Sequence, residues 1–323
     1  MATETTLLDR FNEQGYAIIR GLLDLEHDIQ PVFDEYAVVL DALLDRLQRE
    51  GKVSSTYARH PLQEGEAYYN HFQIRLPYEV IGDETPMHAG PAIFNLLRSP
   101  RLLDGIEAFI GPETSCNPVN VIRLKPAQRL LSADSDHAGI SRVPWHQDLV
   151  NYPIEAAGTD LLTVWVPLTD ATEEMGCLQV VPGSHKGGLE THCPPDTDDP
   201  IVRKAAGGGI PEALVGPREG VPLPMRAGDV LFMHRLTKHA SLSNVSDNFR
   251  WSFDLRYHPT HQFSGQPLKP SWVARSRAHP ETELTAWTAW ARMWGNARAH
   301  LSRTSEVPAY LRYSPDNPVC APS

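Results

Sequence analysis

Val143-Pro-Trp-His-Gln-Asp-Leu149 is the stretch from which the fold of this chain can be worked out. It lies in a region, starting at about residue 117, where short β-type runs alternate with Gly, Pro and Asp. The strands predicted there are 119–124, 161–168, 177–181, 229–233 and 250–257. Many short strands separated by turn signals are typical of a sandwich or barrel, so we expect a mainly β core.

Helical supports are predicted before and after this core. Within residues 1–116, apolar residues recur at helical spacing, most clearly at 30–50 and 91–110. Residues 261–323 contain one clear helix, in which three tryptophans are spaced to share a face: Trp287, Trp290 and Trp294. Such a stripe is more often core or an oligomer contact than a substrate platform, so we expect a helical C-terminal extension in which these tryptophans have a structural role.

We expect a single domain over residues 1–323, although a chain of this length allows two. Its core is predicted at 117–260. Residues 187–222 interrupt that core, are rich in Gly, Pro and Asp, and are long for a plain connection. They are therefore predicted to be an insert or lid.

The composition excludes several classes of protein. The chain has 29 Lys and Arg against 40 Asp and Glu, a formal net charge of −11, which disfavours nucleic acid as a partner. No run of about 18 apolar residues predicts a membrane span, and acidic residues stand where a signal peptide needs an apolar core. The four cysteines are too scattered for a disulfide scaffold or a structural zinc site: Cys116, Cys177, Cys193 and Cys320. We therefore expect a cytoplasmic protein.

His146 and Asp148 are the first candidates for a metal site. On a β-strand, residues i and i+2 point to the same side, so one imidazole and one carboxylate can bind a single metal ion. Chance alone predicts about one such pair in a chain of this composition. The pair therefore needs support from elsewhere in the sequence.

A histidine and an arginine near the end of the core give that support. His239 follows the apolar run that starts at Gly228, and Arg250 begins the next run. Two histidines and one carboxylate with open positions form the facial triad of non-haem Fe(II) oxygenases. An arginine on the neighbouring strand could bind the far carboxylate of a cosubstrate through two N–H groups. His234 is a rival ligand, but its odd offset from His239 would put the two on opposite faces of one continuous strand.

These stretches resemble the phytanoyl-CoA dioxygenase family of Fe(II)/2-oxoglutarate-dependent oxygenases. The resemblance covers residues 121–181 and 226–257. The matching segments occur in family order and are Arg123–Pro126, Val143–Leu149, Gly176–Lys186, Gly228–Phe232 and His239–Ser241 with Arg250. The resemblance implies a double-stranded β-helix, that is, a jelly-roll or cupin-like barrel, and its spacing selects His239 rather than His234.

The resemblance also implies a function and a set of residues. It implies oxidation of a small-molecule C–H bond with Fe(II), 2-oxoglutarate and O2, and release of succinate and CO2. The implied metal ligands are His146, Asp148 and His239. The implied cosubstrate residues are Arg250 and Ser241 on the distal carboxylate, with Lys125 and Trp165 lining the pocket. Because Asp148 is intact, the sequence predicts a hydroxylase rather than a halogenase.

Two other functions stay open at this point. A cupin-type metal enzyme that does not use 2-oxoglutarate would not need Arg250. A non-catalytic barrel would bind a small molecule without turnover. The intact Asp148 and the pairing of Arg250 with Ser241 favour the oxygenase, and the substrate cannot be read from the sequence.

Overall fold

The structure is a computed structural model that describes residues 6–51, 87–125, 127–128, 142–194, 208–216, 220–303 and 317–320. Much of the predicted insert at 187–222 lies outside the described residues. Its role as a lid therefore stays a prediction.

Helices surround the strands in the described part of the chain. They are α1 (Leu7–Gln14), α2 (Gln30–Arg49), α3 (Pro91–Leu97), α4 (Pro100–Ile110), α5 (Glu212–Val215) and α6 (Trp287–Leu301). The start of α1 is a capping box, in which Thr6 and Asp9 satisfy each other's backbone N–H groups. Gly15, in the left-handed conformation, ends α1 and leads directly into the first strand.

The described strands form two antiparallel sheets. They are β1 (Tyr16–Ile19), β2 (Glu113–Cys116), β3 (Val121–Lys125), β4 (Leu162–Pro167), β5 (Leu178–Val180), β6 (Val221–Leu223), β7 (Val230–His234), β8 (His239–Ser241), β9 (Arg250–Pro259) and β10 (Trp272–Ser276). The larger sheet has the order β1-β7-β4-β9-β2-β10, and β3 also pairs with β9. The smaller sheet has the order β6-β5-β8. The predicted mainly β core with flanking helices is confirmed, and the described strands form two sheets rather than one closed barrel.

The two faces of the larger sheet have different partners, and β9 shows this most clearly because polar and apolar residues alternate along it. Toward the helices, β9 presents Trp251, Phe253, Leu255 and Tyr257, which join the main hydrophobic core. Toward the smaller sheet it presents Arg250, Ser252, Asp254, Arg256 and His258, all of them buried. A buried polar face needs internal partners or a ligand. This inner face is where the candidate site is found.

The C-terminal extension contributes a strand as well as a helix. β10 pairs with β2 at the edge of the larger sheet, and neither strand was among those predicted. Both are short and mixed in polarity, so the local sequence does not predict them as strands. Of the three tryptophans on α6, Trp290 and Trp294 are buried in the main core, whereas Trp287 is 41% exposed. The core interpretation is therefore confirmed for two of the three.

No helix in the described ranges is long and apolar enough to cross a membrane.

One disulfide joins Cys193 to Cys320, across a separation of 127 residues. The sequence analysis took the cysteines as too scattered for a disulfide scaffold and expected a cytoplasmic protein. It did not predict this single bond, because the two cysteines that form it lie far apart in the sequence. Cys116 and Cys177 are buried free thiols.

The disulfide predicts a thiol count. Denatured protein prepared without reductant should titrate two thiols, from Cys116 and Cys177, and reduced protein should titrate four. The Cys320→Ser variant is the matched control, because it should show a third thiol before reduction. Four thiols in unreduced wild type would contradict the Cys193–Cys320 bond.

Candidate active site

His146 and His239 are brought together by a pair of backbone hydrogen bonds. The His146 N–H donates to the carbonyl of His239 at 2.9 Å, and the His239 N–H donates back to the carbonyl of His146 at 3.0 Å. His239 begins β8, whereas His146 forms an isolated bridge outside any strand. The two imidazole rings therefore lie with their centroids 4.1 Å apart.

Asp148 is placed by a helical turn and not by a strand. It begins the 3-10 turn Asp148–Asn151, and Gln147, directly before it, is extended. The expectation that His146 and Asp148 share one strand is therefore wrong, although one extended residue between them is enough to keep them on the same side. Asp148 Oδ1 lies 3.8 Å from Nε2 of His146 and 3.9 Å from Nε2 of His239. Candidate ligand atoms of the three residues all lie within 4.8 Å of one another.

Both imidazoles are oriented by carbonyls two residues earlier in the chain. Nδ1 of His146 lies 2.9 Å from the carbonyl of Pro144, and Nδ1 of His239 lies 3.0 Å from that of Thr237. A proton on each Nδ1 leaves the Nε2 lone pair available to a metal. Burial, aided by the neighbouring His239, lowers the pKa of His146 to about 3. His146 is therefore neutral at neutral pH, which is the form that binds metal.

The carboxylate of Asp148 is held on both oxygens. Thr163 Oγ1 donates to Oδ2, and Arg256 Nη2 donates to Oδ1 at 2.7 Å. Burial is the largest single influence on the pKa of Asp148 and acts to raise it. The charge of Arg256, the neighbouring histidines and the Thr163 hydrogen bond together outweigh burial and hold the pKa well below its usual range. Asp148 is therefore an ionised candidate ligand, although it is only 2% exposed.

Arg256 connects this carboxylate to a second one. Its Nη1 donates to Asp254 Oδ1 at 2.5 Å, and Asp254 Oδ2 lies 3.5 Å from Nε of Arg123. Sequence reasoning assigned no role to Arg256 or to Thr163. The even offset of Arg256 from Arg250 on an alternating strand is the signal that places both arginines on the inner face of β9.

The four residues predicted to bind the cosubstrate lie together between the two sheets, with Ser241 on the smaller sheet and the other three on the larger one. Lys125 pairs with Arg250 across β3 and β9. Its Nζ donates to Ser241 Oγ at 2.7 Å and to the carbonyl of Leu242 at 2.5 Å. Arg250 Cζ lies 5.4 Å from the centroid of the Trp165 ring. Ser241 follows His239 by two residues on β8, so this cluster adjoins the His–Asp–His cluster.

Arg250 is a buried cation without an anionic partner among the described residues. Its Nη1 donates to the carbonyl of Gly176, but its Nε and Nη2 have no hydrogen-bond partner there, and the residue is 0% exposed. Burial and the nearby Arg123 lower the pKa of Arg250 to about 9, so it stays charged at neutral pH. An uncompensated buried charge is strongly unfavourable, so this guanidinium fits an incoming carboxylate.

Lys125 and Ser241 complete the environment of that guanidinium. Burial, with the positive charge of Arg250, lowers the pKa of Lys125 to about 5, so its amine is uncharged at neutral pH. Ser241 Oγ accepts hydrogen bonds from Lys125 Nζ and from the Val143 N–H. Its own O–H is then left to donate to a ligand. Gly176 is required nearby, because it has φ +73° and a Cβ there would collide with the carbonyl of Leu242.

Gln147, which lies between two of the candidate ligands, was missed by sequence reasoning. Its side chain is fully buried and its Nε2 donates to the carbonyls of Gly188 and Leu236, at 2.8 and 2.7 Å. Its backbone N–H donates to Nε2 of His192 at 2.9 Å. These contacts fix the backbone between His146 and Asp148 to the described start of the 187–222 insert.

His234 does not join the cluster. Its Nδ1 accepts from the Leu236 N–H at 3.1 Å, and its ring lies beside Phe11 and His185. The choice of His239 over His234, which the spacing in the family resemblance made, agrees with this geometry. The separate argument from the odd offset does not apply. The two residues are not on one continuous strand, because β7 ends at His234 and a turn precedes β8.

The fold and the site together define a class of protein: a double-stranded β-helix with a His–Asp–His cluster between its two sheets. The phytanoyl-CoA dioxygenase (PhyH) family model matches residues 11–252. The chain belongs to this family, as its sequence predicts.

Individual relatives agree with the family. A probable phytanoyl-CoA dioxygenase of Caenorhabditis elegans is 30% identical over 169 residues, which are 52% of this chain and 51% of that protein. The chain thus spans about half the length of the phytanoyl-CoA dioxygenases that it matches. The 1-deoxypentalenic acid 11-beta-hydroxylase of Streptomyces exfoliatus is 28% identical over 270 residues, 82% of this chain and 85% of that protein.

Solved structures show the same fold. The apo structure of the non-heme monooxygenase ThoJ superposes with a TM-score of 0.56 at 18% identity, over 92% of this chain and 98% of that one. The jelly-roll prediction is therefore confirmed.

The competing positions of His234 and His239 give a matched test of the ligand set. His239→Gln should weaken Fe(II) binding by at least about tenfold, because it removes one of three protein ligands. His234→Gln, five residues earlier, should bind Fe(II) as wild type does. Anaerobic equilibrium dialysis measures both affinities, and the reverse order would contradict the assigned cluster.

Proposed function

We propose that the chain is an Fe(II)/2-oxoglutarate-dependent dioxygenase of the hydroxylase type, acting on a C–H bond of a small molecule. The observation that carries the proposal is Arg250, a buried guanidinium with two N–H groups unpaired among the described residues, beside a His–Asp–His cluster. The distal carboxylate of 2-oxoglutarate supplies the planar, charged partner that this guanidinium lacks.

In this proposal His146, Asp148 and His239 hold the iron. Two imidazole Nε2 atoms and one ionised carboxylate suit Fe(II), and three protein ligands leave three positions for exogenous ligands. When bound, Fe(II) with 2-oxoglutarate and O2 supplies the oxidising chemistry: one oxygen atom goes to the substrate and the other to succinate, and CO2 is released. The side chains of the protein hold the metal and the cosubstrate in position and supply the charges that bind them.

The remaining roles follow from the contacts of the second cluster. Arg250 binds the distal carboxylate through Nε and Nη2, and the Ser241 hydroxyl donates to the same group. Trp165 supports the guanidinium from one side, and its own indole N–H is buried and unpaired among the described residues. Lys125 orients Ser241 without adding a charge. Fixing the cosubstrate at its far end leaves its reactive end oriented toward the metal.

The two alternatives fit these observations less well. A cupin-type enzyme without 2-oxoglutarate leaves Arg250 buried with no anion to bind. A non-catalytic barrel has no need of an ionised Asp148 held beside two imidazoles whose Nε2 atoms face it. The intact Asp148 also supports a hydroxylase over a halogenase.

Three further proposals concern the substrate class, the domain organisation and the cellular compartment. The names of the relatives point to phytanoyl-CoA and 1-deoxypentalenic acid as their own substrates, and we propose for this chain only a small molecule. We propose a single oxygenase domain over residues 1–323. The cytoplasm is the compartment proposed from the sequence, and the Cys193–Cys320 disulfide weighs against it, because cytosolic thiols are kept reduced.

Anaerobic titration tests the proposal directly. Wild type loaded with Fe(II) should give a saturable visible band on addition of 2-oxoglutarate. Arg250→Gln should bind Fe(II) normally but need at least about tenfold more 2-oxoglutarate, a loss of about 1.4 kcal/mol, because the distal carboxylate loses its cation. Under air, succinate release should fall in the same variant.

A matched control separates this effect from damage to the fold. Arg275 pairs with Asp104 and Glu107 on α4, on the helix side of the sheet, so Arg275→Gln should titrate as wild type. Arg250→Gln should also unfold no earlier than wild type, because it removes a buried charge without a partner. Iron binding by wild type with no response to 2-oxoglutarate would favour the cupin-type alternative instead.

A further inference from the structure

Thr163 and Arg256 hold the two oxygens of Asp148 from adjacent strands. They are direct cross-strand partners in the β4–β9 pairing, and both are buried, at 0% and 4% exposure. Thr163 donates to Oδ2 and Arg256 donates to Oδ1. The register between β4 and β9 therefore places one donor on each oxygen of a single carboxylate.

The two oxygens are not equivalent with respect to the histidines. Oδ1 is the Asp148 oxygen nearest to both, at 3.8 Å from Nε2 of His146 and 3.9 Å from Nε2 of His239. Each carboxylate oxygen has two lone-pair positions. One donor on each oxygen therefore leaves one position free on each. The two differ in place, because Oδ1 lies toward both histidines, whereas the donor on Oδ2 is the hydroxyl of Thr163 on β4.

Arg256 cannot easily turn away from this arrangement. Its Nη1 is held by Asp254, the next residue on the inner face of β9, while its Nη2 is held by Asp148. A guanidinium fixed at two of its nitrogens has a fixed orientation. The carboxylate that it contacts is fixed with it.

We propose that Thr163 and Arg256 are positioning residues that make Asp148 a one-oxygen ligand. The inference rests on the proposed function and adds to it a role for two residues that contact Asp148. Arg256 directs Oδ1 toward the histidines, and Thr163 keeps Oδ2 off the metal. Three positions are then left, two for 2-oxoglutarate and one for O2. If Oδ2 also bound, the cosubstrate would compete with the protein for a position.

Thr163→Val is the variant that tests this idea, because it keeps the shape of the side chain and removes only the hydroxyl. Thr163→Ser restores the donor and should restore the wild-type behaviour. Thr114→Val is the matched control, because Thr114 is equally buried on β2 and its hydroxyl donates to the carbonyl of Gly111, away from the candidate site. Three quantities are measured without oxygen for each protein: Fe(II) affinity, 2-oxoglutarate affinity of the Fe(II) form, and the visible spectrum of the Co(II) form.

The expected result separates metal binding from cosubstrate binding. Thr163→Val should bind Fe(II) at least as tightly as wild type, because Oδ2 becomes available. Its dissociation constant for 2-oxoglutarate should rise by at least about tenfold. Its Co(II) bands should shift, whereas those of Thr163→Ser and Thr114→Val should match wild type.

Other results would overturn the proposal. An unchanged 2-oxoglutarate affinity and Co(II) spectrum in Thr163→Val would show that the hydroxyl does not control how Asp148 binds. Loss of Fe(II) binding would show that Thr163 only supports the fold. Failure of the proposed function is distinct, since wild type itself would then show no 2-oxoglutarate response, and the Co(II) spectra would still decide the role of Thr163.

Discussion

The two backbone hydrogen bonds between His146 and His239 are the contact on which the candidate site depends. They attach the edge of the smaller sheet to the segment that carries Asp148, which belongs to neither sheet. Each imidazole is then oriented by a carbonyl of its own segment. The positions of the two Nε2 atoms that are candidate metal ligands are therefore set by backbone groups.

The inner face of β9 supplies the charge around this centre, and its two arginines have different partners. Arg256 lies between Asp148 and Asp254, so its charge is used within the protein. Arg250 has no carboxylate partner among the described residues, so its charge is available to a ligand. In the proposed function, one strand with strict polar alternation thus positions a metal ligand through Arg256 and binds the cosubstrate through Arg250.

The chemistry of the site could be predicted from the sequence, but its support could not. His146, Asp148, His239 and Arg250 were found because each stands in a short local pattern and the patterns together match a family. Strand geometry was the wrong reason for pairing His146 with Asp148. An isolated β-bridge positions His146, and a 3-10 turn positions Asp148. Thr163, Gln147 and the Cys193–Cys320 bond act through contacts between distant segments, which no local pattern carries.

An anaerobic crystal structure with Fe(II) and 2-oxoglutarate tests the central claim most directly. The account predicts iron bound by Nε2 of His146, Nε2 of His239 and Oδ1 of Asp148. It predicts the distal carboxylate of 2-oxoglutarate on Nε and Nη2 of Arg250. A cosubstrate whose distal carboxylate binds elsewhere, with those two nitrogens still unpaired, would contradict it.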